Sequence, residues 1–180
     1  MTQGPGPTRE ARVQRARAWL RYATRDLAVA RDALRPGAPS APYHAAFWAQ
    51  QAAEKALKGA LTYAGVDFGD THRLTLLAAL LPSDWETRRA SVALTELSRY
   101  AVQTRYPDLG EPEPTAEDAR RAIAQTAAVQ QALRRDLEAH GYPFLSPSPS
   151  QQAPPRAQPP PGGDRGPESR PGRDDDPHER

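Results

Sequence analysis

The sequence predicts an all-α protein, an up-and-down bundle of four or five helices with a disordered, proline-rich C-terminal tail. Apolar residues recur every three or four positions along several long segments, a spacing typical of amphipathic helices. No segment shows the strict alternation of apolar and polar residues that predicts a half-buried strand. Pro36, Gly37, Pro82 and Pro107 separate the segments, as expected where helices end. We therefore expect the bundle over residues 8–144.

The first helix is predicted by an unbroken apolar seam. Its members step by three or four residues over about six turns: Val13, Ala16, Leu20, Ala23, Leu27, Ala30 and Leu34. Pro36 and Gly37 end it. The same segment is basic, because residues 8–35 contain eight arginines against three acidic residues. A basic helix face can attract nucleic acid, but a solvated arginine-rich face is the more ordinary explanation.

The second helix, predicted over Tyr43–Ala64, has two different faces. One is apolar, interrupted by Gln50, and consists of Ala46, Phe47, Ala53, Leu57, Ala60, Leu61 and Ala64. The other is polar, and we call its four residues the polar ridge: Gln51, Glu54, Lys55 and Lys58. Their spacing makes them neighbours on one helix surface. Gly65 is placed to end this helix.

The remaining helices are predicted from their caps. Asp70 or Thr71 is expected to cap a short helix over residues 72–81. The segment SDWE at residues 83–86 is typical of a capping box, and we expect it to open a helix that continues to about Thr104. Thr115, with an aspartate three residues later, predicts the start of the last helix, which Gly141 closes.

Residues 145–180 differ from the rest of the chain. They contain ten prolines and four glycines, with no large apolar residue after Leu145. Such a segment buries too little apolar surface to offset the entropy of ordering it. We therefore predict two regions, a helical bundle over 8–144 and a disordered tail over 145–180.

Composition excludes several classes of protein. The chain has no cysteine, so disulfides and thiolate metal sites are excluded. It has neither the apolar core of a signal peptide nor the run of about 18 apolar residues that a membrane helix needs. We therefore expect a cytoplasmic protein without membrane association. No motif for a metal or cofactor is present.

Three groups of residues could carry chemistry: the polar ridge, His72, and the loop that contains Arg105, Tyr106 and Asp108. Each also has an ordinary structural interpretation. The ridge could be a solvated helix face, in which a Glu54–Lys58 pair contributes only about 0.2–0.5 kcal/mol. The histidine could be a partly buried polar residue, and the loop could simply end a helix.

Together these groups match a known pattern. A helix containing QQAAEKALKGAL, then THRL, then a helix ending in TRYPD resembles the small prokaryotic HEPN domains over about residues 18–139. The resemblance implies a helical homodimer that associates with RNA or a nucleotide. It also implies a minimal nucleotidyltransferase as partner, in a toxin–antitoxin-like pair in which this protein is not strongly catalytic. No cofactor is implied.

The resemblance also implies ligand-binding residues. They are Gln51, Glu54, Lys55, Lys58, His72, Arg105, Tyr106 and Asp108. For a phosphate-bearing ligand, Arg105 would serve as a bidentate clamp, Lys55 or Lys58 as a point charge and Tyr106 as a stacking surface.

Two alternatives remain open. The same family contains metal-independent endoribonucleases, marked by an arginine followed after four to six residues by a histidine. Arg135 and His140 have this spacing, and so do Arg173 and His178, although roughly 1.5 such spacings are expected by chance. Arg105 and His72 are weaker catalytic candidates. The second alternative is a plain helical protein-interaction module that uses the seam of the first helix.

Overall fold

The computed structural model describes residues 6–38, 41–89, 91–103 and 112–144. The α-helices are α1 (Arg9–Asp32), α2 (Pro42–Ala64), α3 (Leu74–Leu80), α4 (Ser91–Gln103) and α5 (Ala116–Ala139), and a 3₁₀ helix spans Glu86–Arg89. No strand occurs within these residues, so the all-α prediction is confirmed. Within them, no helix is long and apolar enough to cross a membrane. The predicted tail lies outside the described residues, and the boundary at residue 144 stays a prediction.

Contacts between helices establish the up-and-down arrangement. Along α1 and α2, Arg12 lies beside Gly65 and Asp26 pairs with Lys55, so the two helices are antiparallel. α5 runs parallel to α2. Thr126 of α5 donates to the Ala49 carbonyl near the start of α2, and the Tyr63 hydroxyl near the end of α2 donates to the His140 carbonyl just after α5. α2 contacts each of the other four α-helices and is therefore the central element.

The predicted seam of α1 faces α2. Val13, Ala16, Ala23, Leu27 and Ala30 are buried. The hydroxyl of Thr8 caps the helix by accepting the Ala11 N–H at 3.2 Å.

Gly59 allows α1 and α2 to approach closely. A Cβ added at Gly59 would lie 3.1 Å from Leu20 Cγ and 3.1 Å from Trp19 Cβ, tighter than ordinary van der Waals contact. At the end of α2, Gly65 has φ +74°, the left-handed conformation that glycine adopts cheaply. The predicted end of the second helix is confirmed.

The third helix is shorter than predicted. It spans Leu74–Leu80 rather than residues 72–81, and its N-cap is Arg73, which makes no side-chain capping bond. The hydroxyl of Thr71 accepts the Arg73 N–H at 3.3 Å. This local bond stabilises a turn before the helix, so His72 lies in a loop and not in the first helical turn.

The capping box predicted at residues 83–86 is wrong. The Glu86 N–H donates to Asp136 Oδ1 at 2.9 Å and is therefore not bonded to Ser83. The Thr87 N–H and hydroxyl donate to Asp136 Oδ2 at 2.9 and 2.6 Å. A buried carboxylate of α5 thus holds this segment as a 3₁₀ helix, and α4 begins only at Ser91.

The last helix begins as predicted. Thr115 and Asp118 form a complete capping box, in which each side chain accepts the backbone N–H of the other residue. Two polar residues of α5, one buried and one partly buried, donate hydrogen bonds to backbone carbonyls of α2 and α1. The Thr126 hydroxyl donates to the Ala49 carbonyl at 2.9 Å, and the Gln130 amide donates to the Ala23 carbonyl at 3.1 Å.

His140 links the end of α5 to the loop before the 3₁₀ helix. Its Nδ1 donates to the Asp136 carbonyl at 2.7 Å, and its Nε2 donates to Asp84 Oδ2 at 2.9 Å. Two acceptors favour the doubly protonated ring. The hydrogen bond to Asp84, followed by that to the Asp136 carbonyl, raises the pKa of His140 above its ordinary value.

We expect replacement of Asp84 with asparagine to destabilise the protein more in weak acid than in weak base. A raised folded-state pKa contributes stability that is complete below the ordinary histidine pKa and is lost as the pH rises through the raised value. Melting temperatures of wild type and Asp84→Asn at about pH 5.5 and about pH 8.5 would measure this. A melting-temperature difference that is the same at both pH values would contradict the assignment.

Candidate functional site

Two residues of the polar ridge are buried. Glu54 is 4% exposed and Lys58 6% exposed, because α2 is surrounded by the other helices. Gln51 and Lys55 are partly exposed. The solvated-face interpretation is therefore wrong for Glu54 and Lys58.

Glu54 is the centre of a hydrogen-bond network. Its Oε1 accepts from Lys58 Nζ at 2.9 Å and from His72 Nδ1 at 2.9 Å. Its Oε2 accepts from Gln50 Nε2 at 3.3 Å. The side-chain Oε1 of Gln50 in turn accepts from Gln51 Nε2 at 2.7 Å. We call Gln50, Glu54, Lys58 and His72 the Glu54 network.

Burial raises the pKa of Glu54, but the hydrogen bonds from Lys58, His72 and Gln50, together with the charge of Lys58, outweigh burial and leave this pKa below its ordinary value. The side chain is therefore a carboxylate at neutral pH. Because a carboxylate only accepts hydrogen bonds, it fixes the proton of His72 on Nδ1. Nε2 is then the ring atom that remains for other interactions.

The ammonium group of Lys58 lies between aromatic rings. Its Nζ is 5.8 Å from the centre of the Trp19 ring and 5.6 Å from the centre of the Phe68 ring. The two rings meet edge to face with their centres 6.5 Å apart. These cation–π contacts and the bond to Glu54 compensate for the burial of the charge.

Lys55 is bound on the side of α2 that faces α1. Its ammonium group forms an ion pair with Asp26, a buried residue of α1. Lys55 therefore shares its charge with α1 and reaches solvent only in part.

His72 is the exposed end of the Glu54 network. Its side chain is 62% exposed, and in the described part of the chain Nε2 makes no hydrogen bond. A histidine held by a buried carboxylate has a fixed tautomer and orientation, as acid–base chemistry and specific hydrogen bonding to a ligand both require. Neighbouring Arg73 is also exposed.

The structure brings three predicted residues into one network, namely Glu54, Lys58 and His72. Gln51 joins it through Gln50. Lys55 is bound separately. The predicted loop residues Arg105, Tyr106 and Asp108 lie outside the described residues, so their proximity to the ridge stays a prediction.

Arg135 and His140, which have the spacing expected of the ribonucleases, each make separate contacts with other parts of the bundle. Arg135 Nε lies 3.4 Å from Glu86 Oε2, and both ring nitrogens of His140 are engaged as described above. The second pair, Arg173 and His178, lies outside the described residues. Over the described part of the chain, no group of three or more His, Asp or Glu side chains is arranged to hold a metal ion.

Sequence reasoning missed three contributors to the site. In the sequence pattern Gln50 is only a gap in the apolar face, yet it is fully buried and donates to Glu54. Asp26 and Trp19, which contact Lys55 and Lys58, lie on α1. Asp26 follows Trp19 by seven residues, a spacing that places both on one side of α1. This spacing is the sequence signal that could have indicated a shared contact with α2.

A family model and two solved structures are similar to this chain. The family model is described as "HEPN domain" and matches residues 16–136. TT1696 from Thermus thermophilus is 34% identical, with a TM-score of 0.60, over 68% of this chain and 98% of that one. ST0689, an archaeal HEPN homologue, is 30% identical, with a TM-score of 0.53, over 67% of this chain and 95% of that one. The search of curated proteins finds no match. The chain belongs to the HEPN-domain family.

Proposed function

We propose that this HEPN-domain protein is a cytoplasmic, RNA- or nucleotide-associated partner of a minimal nucleotidyltransferase in a toxin–antitoxin-like pair, without strong catalytic activity of its own. The observation that carries the proposal is the exposed His72 ring, which the buried carboxylate of Glu54 holds in a fixed orientation. Because the ring proton lies on Nδ1, Nε2 is a preorganised acceptor, which suits a ribose hydroxyl or a base amino group of RNA or of a nucleotide.

The charge of α1 supports an anionic partner. Asp26 is buried against Lys55, whereas several arginines of the same helix are exposed, namely Arg21, Arg25 and Arg31. The outer surface of α1 is therefore more basic than the helix composition indicates. Exposed arginines attract phosphate groups over several ångströms and bind them bidentately.

The predicted ligand-binding residues take different roles in this proposal. His72, Gln51 and Lys55 reach the surface and would contact the ligand. Glu54 and Lys58 are buried and would position His72. Arg105, Tyr106 and Asp108 remain proposed ligand contacts.

Exposed apolar residues support protein partners. Tyr22 and Val29 on α1 are 48% and 43% exposed, and Leu76 and Leu80 on α3 are 44% and 41% exposed. Leu76 and Leu80 are four residues apart and lie on one side of α3. We propose that these residues contribute to a homodimer or to the nucleotidyltransferase contact.

Replacing His72 with alanine should weaken binding of a short single-stranded RNA about fivefold to tenfold, because one oriented hydrogen-bond acceptor is lost. Fluorescence anisotropy with a labelled oligonucleotide would measure the affinity. The matched control is His44→Ala, since His44 is also an exposed histidine, with its ring centre 4.0 Å from that of Tyr43. Equal effects of both variants would overturn the assignment to His72.

The partner is tested by co-purification. A nucleotidyltransferase encoded beside this protein should elute with it, and Leu76→Glu with Leu80→Glu should reduce either this association or dimerisation. Size-exclusion chromatography with light scattering distinguishes the two. Separate elution of the wild-type proteins at micromolar concentration would refute the partnership.

A metal-independent endoribonuclease is the second candidate, favoured by the same bond between Glu54 and His72. A histidine oriented by a carboxylate can transfer protons as a general acid or base. Incubation of the protein with RNA in EDTA tests this candidate. Cleavage that Glu54→Gln and His72→Ala both remove would support it, whereas cleavage that persists in both variants would reject it.

A further inference from the structure

A groove lies between the beginning of α1 and the end of α2, apart from the exposed edge of His72. It has a volume of about 590 Å³, and its lining includes Arg12, Arg15, Trp19, Asp67 and Phe68. This volume suits a small organic ligand. The lining combines two guanidinium groups with two aromatic rings, a composition that ordinary packing does not require.

Within the described part of the chain, the two arginines of the groove, Arg12 and Arg15, have no carboxylate partner. The Arg12 Nε is buried without a hydrogen-bond partner. A buried donor without an acceptor is costly and uncommon in folded proteins, so the guanidinium group of Arg12 is not fully satisfied by the described part of the chain.

Arg12 lies beside the end of α2. Its Nη1 lies 2.8 Å from the position that a Cβ at Gly65 would occupy. The guanidinium group therefore lies against the backbone where the partial negative charge of the helix is concentrated. The absence of a side chain at Gly65 makes this position possible.

The rings supply a stacking surface beside the charges. Trp19 and Phe68 both line the groove, and the ammonium group of Lys58 lies on both rings from within the protein. Asp67 is the carboxylate of the lining, and its Oδ1 accepts the Gly69 N–H at 3.1 Å. A carboxylate among arginines disfavours a bare anion but can accept hydrogen bonds from sugar hydroxyls.

We propose that this groove binds a nucleoside phosphate, with its phosphate on Arg12 and Arg15, its base against Trp19 or Phe68 and its ribose near Asp67. The inference rests on the proposed nucleotide association for the class of ligand, and it adds the place. Lys58 joins the two sites, because it contacts both rings of the groove and bonds to Glu54.

Isothermal titration of the full chain with AMP, adenosine and inorganic phosphate tests the site. AMP should bind saturably, and Arg12→Gln with Arg15→Gln should weaken it at least about tenfold, because charge-assisted bonds to phosphate are lost. The matched control is Arg21→Gln with Arg25→Gln, which removes the same charge from exposed positions of α1. Arg15→Gln alone serves as a second variant if the double variant unfolds.

Absence of saturable AMP binding, or an equal loss in both double variants, would overturn the proposal. Phosphate binding as tight as AMP binding would overturn the stacking role of the rings. A competition experiment distinguishes a free nucleotide from the end of an RNA as the natural ligand. Displacement of AMP by a 5′-phosphorylated oligonucleotide but not by its 5′-hydroxyl form identifies an RNA end, and displacement by neither identifies a free nucleotide.

Loss of AMP binding in the arginine double variant, with RNA and partner binding intact, would separate this groove from the site at His72. Conversely, His72→Ala should leave AMP affinity within about twofold of wild type. Failure of the groove and failure of the proposed function are thus distinguished by different ligands and different variants.

Discussion

Replacing Glu54 with alanine should lower the free energy of unfolding by about 3–5 kcal/mol. The substitution would leave the ammonium group of Lys58 without its carboxylate partner, and Lys58 is only 6% exposed. Chemical denaturation of the two proteins would measure the difference. A loss below about 1 kcal/mol would show that the ammonium group of Lys58 reaches solvent once its partner is removed.

A double variant isolates the charge effect. Glu54→Leu with Lys58→Met replaces both ions by apolar side chains of similar volume, and it should be within about 1–2 kcal/mol of wild type or more stable. The control is Glu138→Ala, which breaks the Arg134–Glu138 pair at 2.9 Å. That pair has the same spacing of four residues but is exposed, so its loss should cost at most about 0.5 kcal/mol.

The stability that Glu54 contributes should depend on pH. Because the pKa of Glu54 is lowered on folding, the contribution is complete above the ordinary glutamate pKa and is lost as the pH falls through the lower, folded-state value. The difference in unfolding free energy between wild type and Glu54→Gln should therefore shrink in acid. If the difference in unfolding free energy stayed the same in acid, residues other than Glu54 would be responsible for the acid sensitivity of the protein.

Replacing Asp136 with alanine should cost about 3 kcal/mol or more. Its carboxylate accepts three hydrogen bonds, from the N–H groups of Glu86 and Thr87 and from the Thr87 hydroxyl. Thr87 is fully buried, so its donors would have no water to bond. Denaturant titration followed by circular dichroism would measure the loss.

The matched control for Asp136→Ala is Asp32→Ala. Asp32 is exposed and pairs with Arg35 across the end of α1, so its removal should change stability by no more than about 0.5 kcal/mol. Thr87→Val should be destabilising by less than Asp136→Ala, since it removes one of the three bonds. Equal stabilities of Asp136→Ala and Asp32→Ala would show that the 3₁₀ segment does not depend on the carboxylate.

Local patterns predicted the helices but not the connection before α4. The Thr115 cap and the α1 seam depend on residues within one helix, and both are confirmed. The capping box at residues 83–86 had an equally good local pattern and is wrong. Asp136, 50 residues away, takes the Glu86 N–H. A bond over this distance leaves no trace in the local sequence.

The site was predicted in part for a similar reason. The spacing of Glu54 and Lys58 correctly placed them as neighbours, and their bond is 2.9 Å long. Whether such a pair faces solvent depends on which helices surround α2, and that is set by tertiary packing. Gln50 illustrates the same limit, because a buried amide is recognisable only when its acceptor is known.

Gly59 has a consequence for how α2 is stabilised. Within a helix of 23 residues, a glycine costs about 0.5–1 kcal/mol of intrinsic helix stability relative to alanine. An alanine there would recover this energy but would press on Trp19 and Leu20, and Trp19 carries one of the rings that contact Lys58. Helix propensity is therefore subordinate here to the distance between two helices, and α2 relies on α1 both to complete its fold and to hold its buried cation.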